Sequence, residues 1–218
     1  VTPVPELPAQ PVVVTAGSDD PAAPVVVLLH GRGSDENGIV GLVPYLPAGP
    51  HYVAVRGPLA LPDGGYTWFA NRGIGRPLPD SLRATMDWFR TWLDPYAGGR
   101  PVAVVGFSGG GAFAGGLLLD DPSRWAGVAV LFATVPFDAG VPVTDGRLHG
   151  VPVLVEQGDD DVVIPPELQA ATWEYLTARS GALVTTHRTP GGHGIDVGSA
   201  DVLRLWLEAL LAAPSTSG

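Results

Sequence analysis

The chain has 218 residues, of which 45% are hydrophobic and 16% charged, which implies one compact domain with a full core rather than a disordered chain. Its net charge is −10, and all 12 basic residues are Arg, which excludes the basic footprint of a nucleic-acid binder and an electrostatic anchor on anionic lipid. Cysteine is absent, so a disulfide framework, a thiolate metal site and a Cys nucleophile are excluded together.

The domain is expected to span 1–218, with the Pro-rich residues 1–11 and residues 213–218 as loose termini. The opening stretch has no basic segment followed by an apolar one, so no signal peptide is expected and a cytoplasmic location is. A first strand is predicted at 12–15. The second, at 25–29, is apolar throughout, as a strand buried on both faces should be. It ends in "LLHGRGSDENG". Here His30 reads as a loop-shaping residue, Arg32 as a surface ion-pair partner or a contact for a substrate carboxylate or phosphate, and Ser34 to Asn37 as a helix start. The longest apolar run, "PVVVLLHG", is too short to cross a bilayer.

A third strand is predicted at 52–55. The loop that follows, through residue 79, carries Tyr66, Trp68 and Phe69, which read either as walls of a substrate pocket or as ordinary core. A helix is predicted over 80–96, where Leu82, Met86, Phe89 and Leu93 form one apolar stripe. A fourth strand, at 102–105, runs into Gly106-Phe107-Ser108-Gly109-Gly110. This fits G-x-S-x-G, a tight strand-to-helix turn that leaves a serine hydroxyl exposed in a strained conformation. A phosphate cradle is the weaker reading, because a Walker loop needs Lys and this chain has none. A helix-capping serine is the structural alternative.

Strands at 127–132 and 153–156 follow, separated by a gap too short for a helical cap. The second leads into "QGDDDVVIPPE", which offers Asp159, Asp160 and Asp161. Asp161 is the candidate orienting acid, because it directly precedes an apolar run able to turn one carboxylate inward, and Asp159 is the runner-up. A helix over 166–179, a strand at 183–187 and a helix over 200–212 complete the chain. His193 lies in "TPGGHGID", a glycine loop between that strand and helix, which makes it the candidate base. His51 and His149 have no evident orienting partner, and His187 lies within a strand.

Strands alternating with helices imply a mainly parallel sheet covered on both faces, with chemistry at the strands' carboxyl ends. The order Ser108, Asp161, His193 is the order expected for this serine turn. The backbone N–H groups of Arg32 and Gly109 are the expected oxyanion donors.

Together, "LLHGRGSDENG", "VRGP" with "GGYTWF", "GFSGGG", "QGDDDVVIPPE" and "TPGGHGID" resemble the phospholipase/carboxylesterase group of α/β-hydrolases, which includes acyl-protein thioesterases and small bacterial carboxylesterases. The resemblance spans roughly residues 24 to 212. It implies an α/β-hydrolase fold without a cap domain and a serine hydrolase acting on short to medium acyl or aryl esters, with thioesters as a further class. Two positions depart from the group: Gly109 stands where Gln is frequent, and Gln157 where His is frequent. No metal or organic cofactor is expected, the partner is a small-molecule substrate, and the protein is expected to be a monomer or homodimer. The rival readings are a non-catalytic binding protein on the same fold and a cofactor-free perhydrolase.

Overall fold

The computed structural model describes residues 6–212. Seven strands form one sheet: β1 (Val13–Gly17), β2 (Val25–Leu29), β3 (His51–Val55), and, beyond a short hairpin of β4 (Leu59–Ala60) and β5 (Tyr66–Thr67), β6 (Val102–Phe107), β7 (Gly127–Leu131), β8 (Pro152–Gly158) and β9 (Leu183–Thr189). Their order is β1-β3-β2-β6-β7-β8-β9. Only β1 is antiparallel to its neighbour; every other pair is parallel. This is the mostly parallel sheet of an α/β-hydrolase.

Alternation along the buried strands divides the core between two faces. Val25, Val27, Leu29, Val104, Val130 and Val155 face α2 (Pro79–Ala97) and α3 (Gly109–Asp120). Val26, Leu28, Ala103, Val105, Leu131 and Leu154 face the other way, with Ile39 of α1 (Glu36–Val40) and with Leu203, Trp206 and Leu207 of α5 (Val197–Ala212). Every residue of β2 and β7 is buried, which is why these strands read as continuous apolar runs. The predicted stripe of α2 is buried as a unit. Pro79 at its first position and Gly98 in left-handed conformation beyond its last set its limits.

Several boundaries differ from the sequence expectation. β8 runs on to Gly158 because Gln157 and Gly158 still pair with Arg188 and Thr189. α5 begins at Val197, since the Asp196 carboxylate caps the Ser199 N–H at 2.8 Å. The segment expected as one helix over 166–179 is α4 (Pro166–Glu174) followed by a π turn over Tyr175–Arg179. Residues 132–151 form no helix, so no cap covers the sheet edge. The termini expected to be loose lie outside the described residues at 1–5 and 213–218. Residues 6–11 are seated on the protein instead: the Trp88 indole donates to the Pro8 carbonyl at 2.7 Å. No helix among the described residues is long and apolar enough to cross a membrane.

The sheet places the site. From β2 the chain goes to β3 on one side, and its later strands continue from β6 on the other. Ligands of open parallel sheets bind outside the carboxyl ends of the strands, where the order reverses in this way. The loops after β2 and β6 both open there.

Candidate active site

The turn after β6 is built from glycine by necessity. A Cβ on Gly106 would meet the backbone of Gly110, and one on Gly110 would meet the carbonyl oxygens of Leu29 and His30. Strand and helix therefore touch backbone to backbone, and Ser108 between them takes φ 53° and ψ −117°. A non-glycine residue holds that conformation only where its surroundings force it. Its hydroxyl caps no N–H of α3, so the capping alternative fails. Ser108 Oγ lies 2.8 Å from Nε2 of His193 instead.

His193 occupies the loop between β9 and α5. Its Nδ1 lies 2.8 Å from Oδ2 of Asp161, so the neutral ring donates from Nδ1 to the carboxylate and accepts the Ser108 proton at Nε2. Phe107 and Phe132 flank the imidazole, with ring centroids 5.2 Å and 6.4 Å away. Asp161 is buried, and its second oxygen accepts the N–H groups of Val163 at 2.8 Å and Ile164 at 3.1 Å. Asp159, the runner-up, pairs with Arg188 at 2.7 Å on the surface. Of the three adjacent acids, the one preceding the apolar run is the one that turns inward.

The two loops carrying Asp161 and His193 brace each other. A Cβ on Gly158 would strike the carbonyls of Gly191 and Gly192, and the Asp160 N–H donates to Gly191 O at 3.1 Å. Gln157 donates to the Gln169 carbonyl at 2.9 Å, while the Gln169 amide holds the carbonyls of Asp161 at 3.0 Å and Ile164 at 2.8 Å. The His193 loop is closed at its base, where the Thr189 hydroxyl donates to Asp196 at 2.6 Å. Phe107, Phe132, Gln169, Thr189 and Asp196 were not singled out from sequence. Only Asp196 carried a readable signal, as an N-cap residue before an apolar helix.

Across the elbow, the Arg32 N–H has no acceptor among the described residues. It stands beside Gly109, whose added Cβ would lie 3.1 Å from it. As the first residue of α3, Gly109 has an N–H without an intrahelical acceptor. Two free donors thus converge next to Ser108. His30 shapes this loop from below. Burial holds its pKa below the ordinary value, its Nδ1 donates to Gly31 O at 2.8 Å, and its Nε2 accepts the Gly57 N–H at 2.9 Å.

A cavity of about 500 Å³ opens over Ser108 and His193. Of the three aromatics expected as walls, only Phe69 lines it, together with Ile74, Val163 and Ile164. Trp68 is fully buried, stacked 4.8 Å from Phe113 and donating to His30 O at 2.9 Å, so it belongs to the core beneath the loop. Tyr66 faces away from the cavity, under the Arg56 guanidinium at 4.6 Å. His51 does have partners, Ser18 O at 3.0 Å and Tyr96 Oη at 2.8 Å, and both serve the sheet edge. The expected ion pair of Arg32 is not formed; among the described residues its side chain has no acidic partner.

The phospholipase/carboxylesterase family profile matches residues 10–210. The chain belongs to the phospholipase/carboxylesterase family. Within it, MhqD of Bacillus subtilis (strain 168) is 27% identical over 187 residues, covering 84% of this chain and 91% of that protein. A solved carboxylesterase from Mesorhizobium loti is 29% identical, with a TM-score of 0.74 over 85% of this chain and 88% of the other. The Bacillus cereus carboxylesterase superposes with a TM-score of 0.80 over 93% of this chain and 95% of its own, at 23% identity. Among the described residues, no group of three or more His, Cys, Asp or Glu side chains is placed to hold a metal ion. The family is one of phospholipases and carboxylesterases.

Proposed function

We propose that the protein is a serine esterase cleaving carboxylic esters of short to medium acyl or aryl groups, with thioesters as a further class, through Ser108, His193 and Asp161. The observation that carries this reading is the continuous chain of 2.8 Å contacts from Ser108 Oγ through the His193 imidazole to Asp161, ending at a strained elbow beside two unused N–H groups.

In this reading His193 Nε2 takes the Ser108 proton as Oγ attacks the acyl carbonyl. Asp161 stays ionised, fixes the ring tautomer and stabilises the imidazolium. The N–H groups of Arg32 and Gly109 meet the oxyanion, a contribution of about 3 kcal/mol per donor in comparable sites. His193 then protonates the leaving alcohol or thiol. Water, deprotonated by the same nitrogen, hydrolyses the acyl-enzyme, and the proton returns to Ser108. The open cavity, with Phe69, Ile74 and Val163 on its walls, suits a modest acyl chain.

The test is hydrolysis of p-nitrophenyl esters from acetate to laurate by the wild type and by Ser108→Ala. Turnover that falls at least a hundredfold in the variant, with its circular dichroism unchanged, supports the reading. Equal turnover in the variant contradicts it.

A further inference from the structure

We infer that the Arg32 side chain selects substrates whose acyl part carries a second, anionic group, so that the preferred substrate class is the monoesters or monothioesters of dicarboxylic acids. This rests on the esterase reading above and adds the substrate class to it.

Among the described residues, two arginines stand apart from the others, and of these Arg32 lines the cavity. Ten of the 12 engage a carboxylate or a backbone carbonyl through the side chain; Arg32 and Arg72 do not. The sequence offers Arg32 two acids at ordinary pairing distance, Asp35 and Glu36, and the fold commits both elsewhere. Asp35 caps α1 through Gly38 N–H at 3.0 Å, and Glu36 is gripped by Arg56 through two bonds, at 2.7 and 2.5 Å. Asp159, Glu167 and Asp161 are paired as well, with Arg188, Arg76 and His193. The result is an exposed guanidinium with no acidic partner in a chain of net charge −10.

Its position gives that charge a use. Among the described residues, no Asp or Glu lines the cavity over Ser108, and Arg32 is its one permanently charged residue. The same residue supplies an oxyanion N–H, so its side chain starts next to the carbonyl under attack. Gly109 keeps the approach open, since a Cβ there would crowd both the N and the Cβ of Arg32. Ser34 and Asn71 add polar groups, while Phe69 and Ile74 line the path for a methylene linker. His193 must face the leaving-group oxygen to protonate it. Arg32 belongs to the oxyanion loop instead, which assigns its charge to the acyl side. A planar guanidinium suits a carboxylate through paired donors.

The experiment compares kcat/KM for p-nitrophenyl hydrogen adipate with that for p-nitrophenyl hexanoate, in wild type, Arg32→Gln and Arg32→Lys. The ratio between the two esters isolates the side chain, because both need the same backbone donor. A charge-assisted contact at a partly exposed site predicts that Arg32→Gln lowers the ratio about tenfold, with partial rescue by Lys and loss of the preference at high salt. A ratio unchanged within twofold overturns the inference. A second pair, 4-carboxyphenyl and phenyl hexanoate, places the charge on the leaving group; an Arg32 dependence confined to this pair overturns the acyl-side assignment. Adipate and hexanoate binding to Ser108→Ala, by calorimetry with and without Arg32→Gln, separates this inference from the esterase reading. Arg32-dependent adipate binding supports it even where no ester is turned over, and equal binding of the two acids overturns it.

Discussion

Asp161 holds His193 with one carboxylate oxygen and its own loop with the other. Oδ2 meets His193 Nδ1 at 2.8 Å, while Oδ1 accepts from Val163 and Ile164 N–H. The two roles are separable by a single isosteric change. In Asp161→Asn the two backbone donors claim the amide oxygen, which turns the NH₂ toward Nδ1. The imidazole must then accept at Nδ1 and present Nε2–H to Ser108, the wrong tautomer for a base. The expected outcome is a loss of roughly 10⁴-fold in kcat with a melting temperature close to that of the wild type, measured on p-nitrophenyl butyrate and by thermal scan. A loss under tenfold contradicts the orienting role.

The bond between Thr189 and Asp196 closes the base of the loop that carries His193. Asp196→Ala removes this bond and the cap on α5 together. We expect a lower melting temperature and a kcat reduced about tenfold with KM little changed, because the loop positions the base rather than the substrate. Asp196→Ser, which restores a capping oxygen, should recover most of the stability and only part of the kcat. Steady-state kinetics alongside thermal scans of both variants decide it.

Glu156 is a fully buried carboxyl that the site does not use. Neither of its oxygens has a hydrogen-bond partner, and burial pushes its pKa up to about 8, with Asp196 adding to the shift and the nearby Ser199 hydroxyl opposing it. The ring of His187, its partner on β9, also has a buried nitrogen without a partner. In the folded protein the carboxyl keeps its proton up to about pH 8, whereas in the unfolded chain it ionises near 4.5. Folding therefore retains a proton in that window, and this group's contribution falls as pH rises through it, by about 1.4 kcal/mol per unit, levelling off above pH 8. Glu156→Gln lacks this dependence. Urea unfolding at pH 5, 6.5, 8 and 9 should show the variant gaining on the wild type with rising pH; parallel profiles contradict the assignment.

Gly110 is an elbow position with no room for a side chain. A Cβ there would meet the carbonyls of Leu29 and His30, backbone that cannot yield without moving β2. Gly110→Ala is expected to lower the melting temperature by well over the few degrees that a surface change causes, and to remove activity by displacing the Gly109 N–H. Gly146→Ala makes a fair comparison: it has open space around its Cβ position and a left-handed φ of 72°, so it tests backbone strain without a steric clash.

Much of the site was readable because each reactive side chain follows a strand and lies close to glycines, at Gly106 and Gly110, Gly158, and Gly191 and Gly192. Ser108, Asp161 and His193 are therefore conspicuous, and the fold brings them within hydrogen-bond distance. Trp68 and Tyr66 were not readable as core and surface. An aromatic before a glycine-rich loop carries the same signal whether its ring faces a cavity, a helix or an arginine. The oxyanion donors are backbone groups and leave no mark of residue type. The lone charge of Arg32 was hidden for a different reason. Asp35 and Glu36 lie close to it in sequence, and only the fold shows that Asp35 caps α1 and Glu36 pairs with Arg56.

Ser108 as the nucleophile is the claim on which the whole mechanism depends. The decisive measurement is reaction with a p-nitrophenyl alkylphosphonate, followed by intact mass and peptide mapping. The account predicts one adduct per chain, on the peptide containing Ser108, formed in step with loss of esterase activity and slowed at least a hundredfold in His193→Ala. Full loss of activity with the adduct on another residue, or ester turnover that survives complete labelling of Ser108, would contradict it.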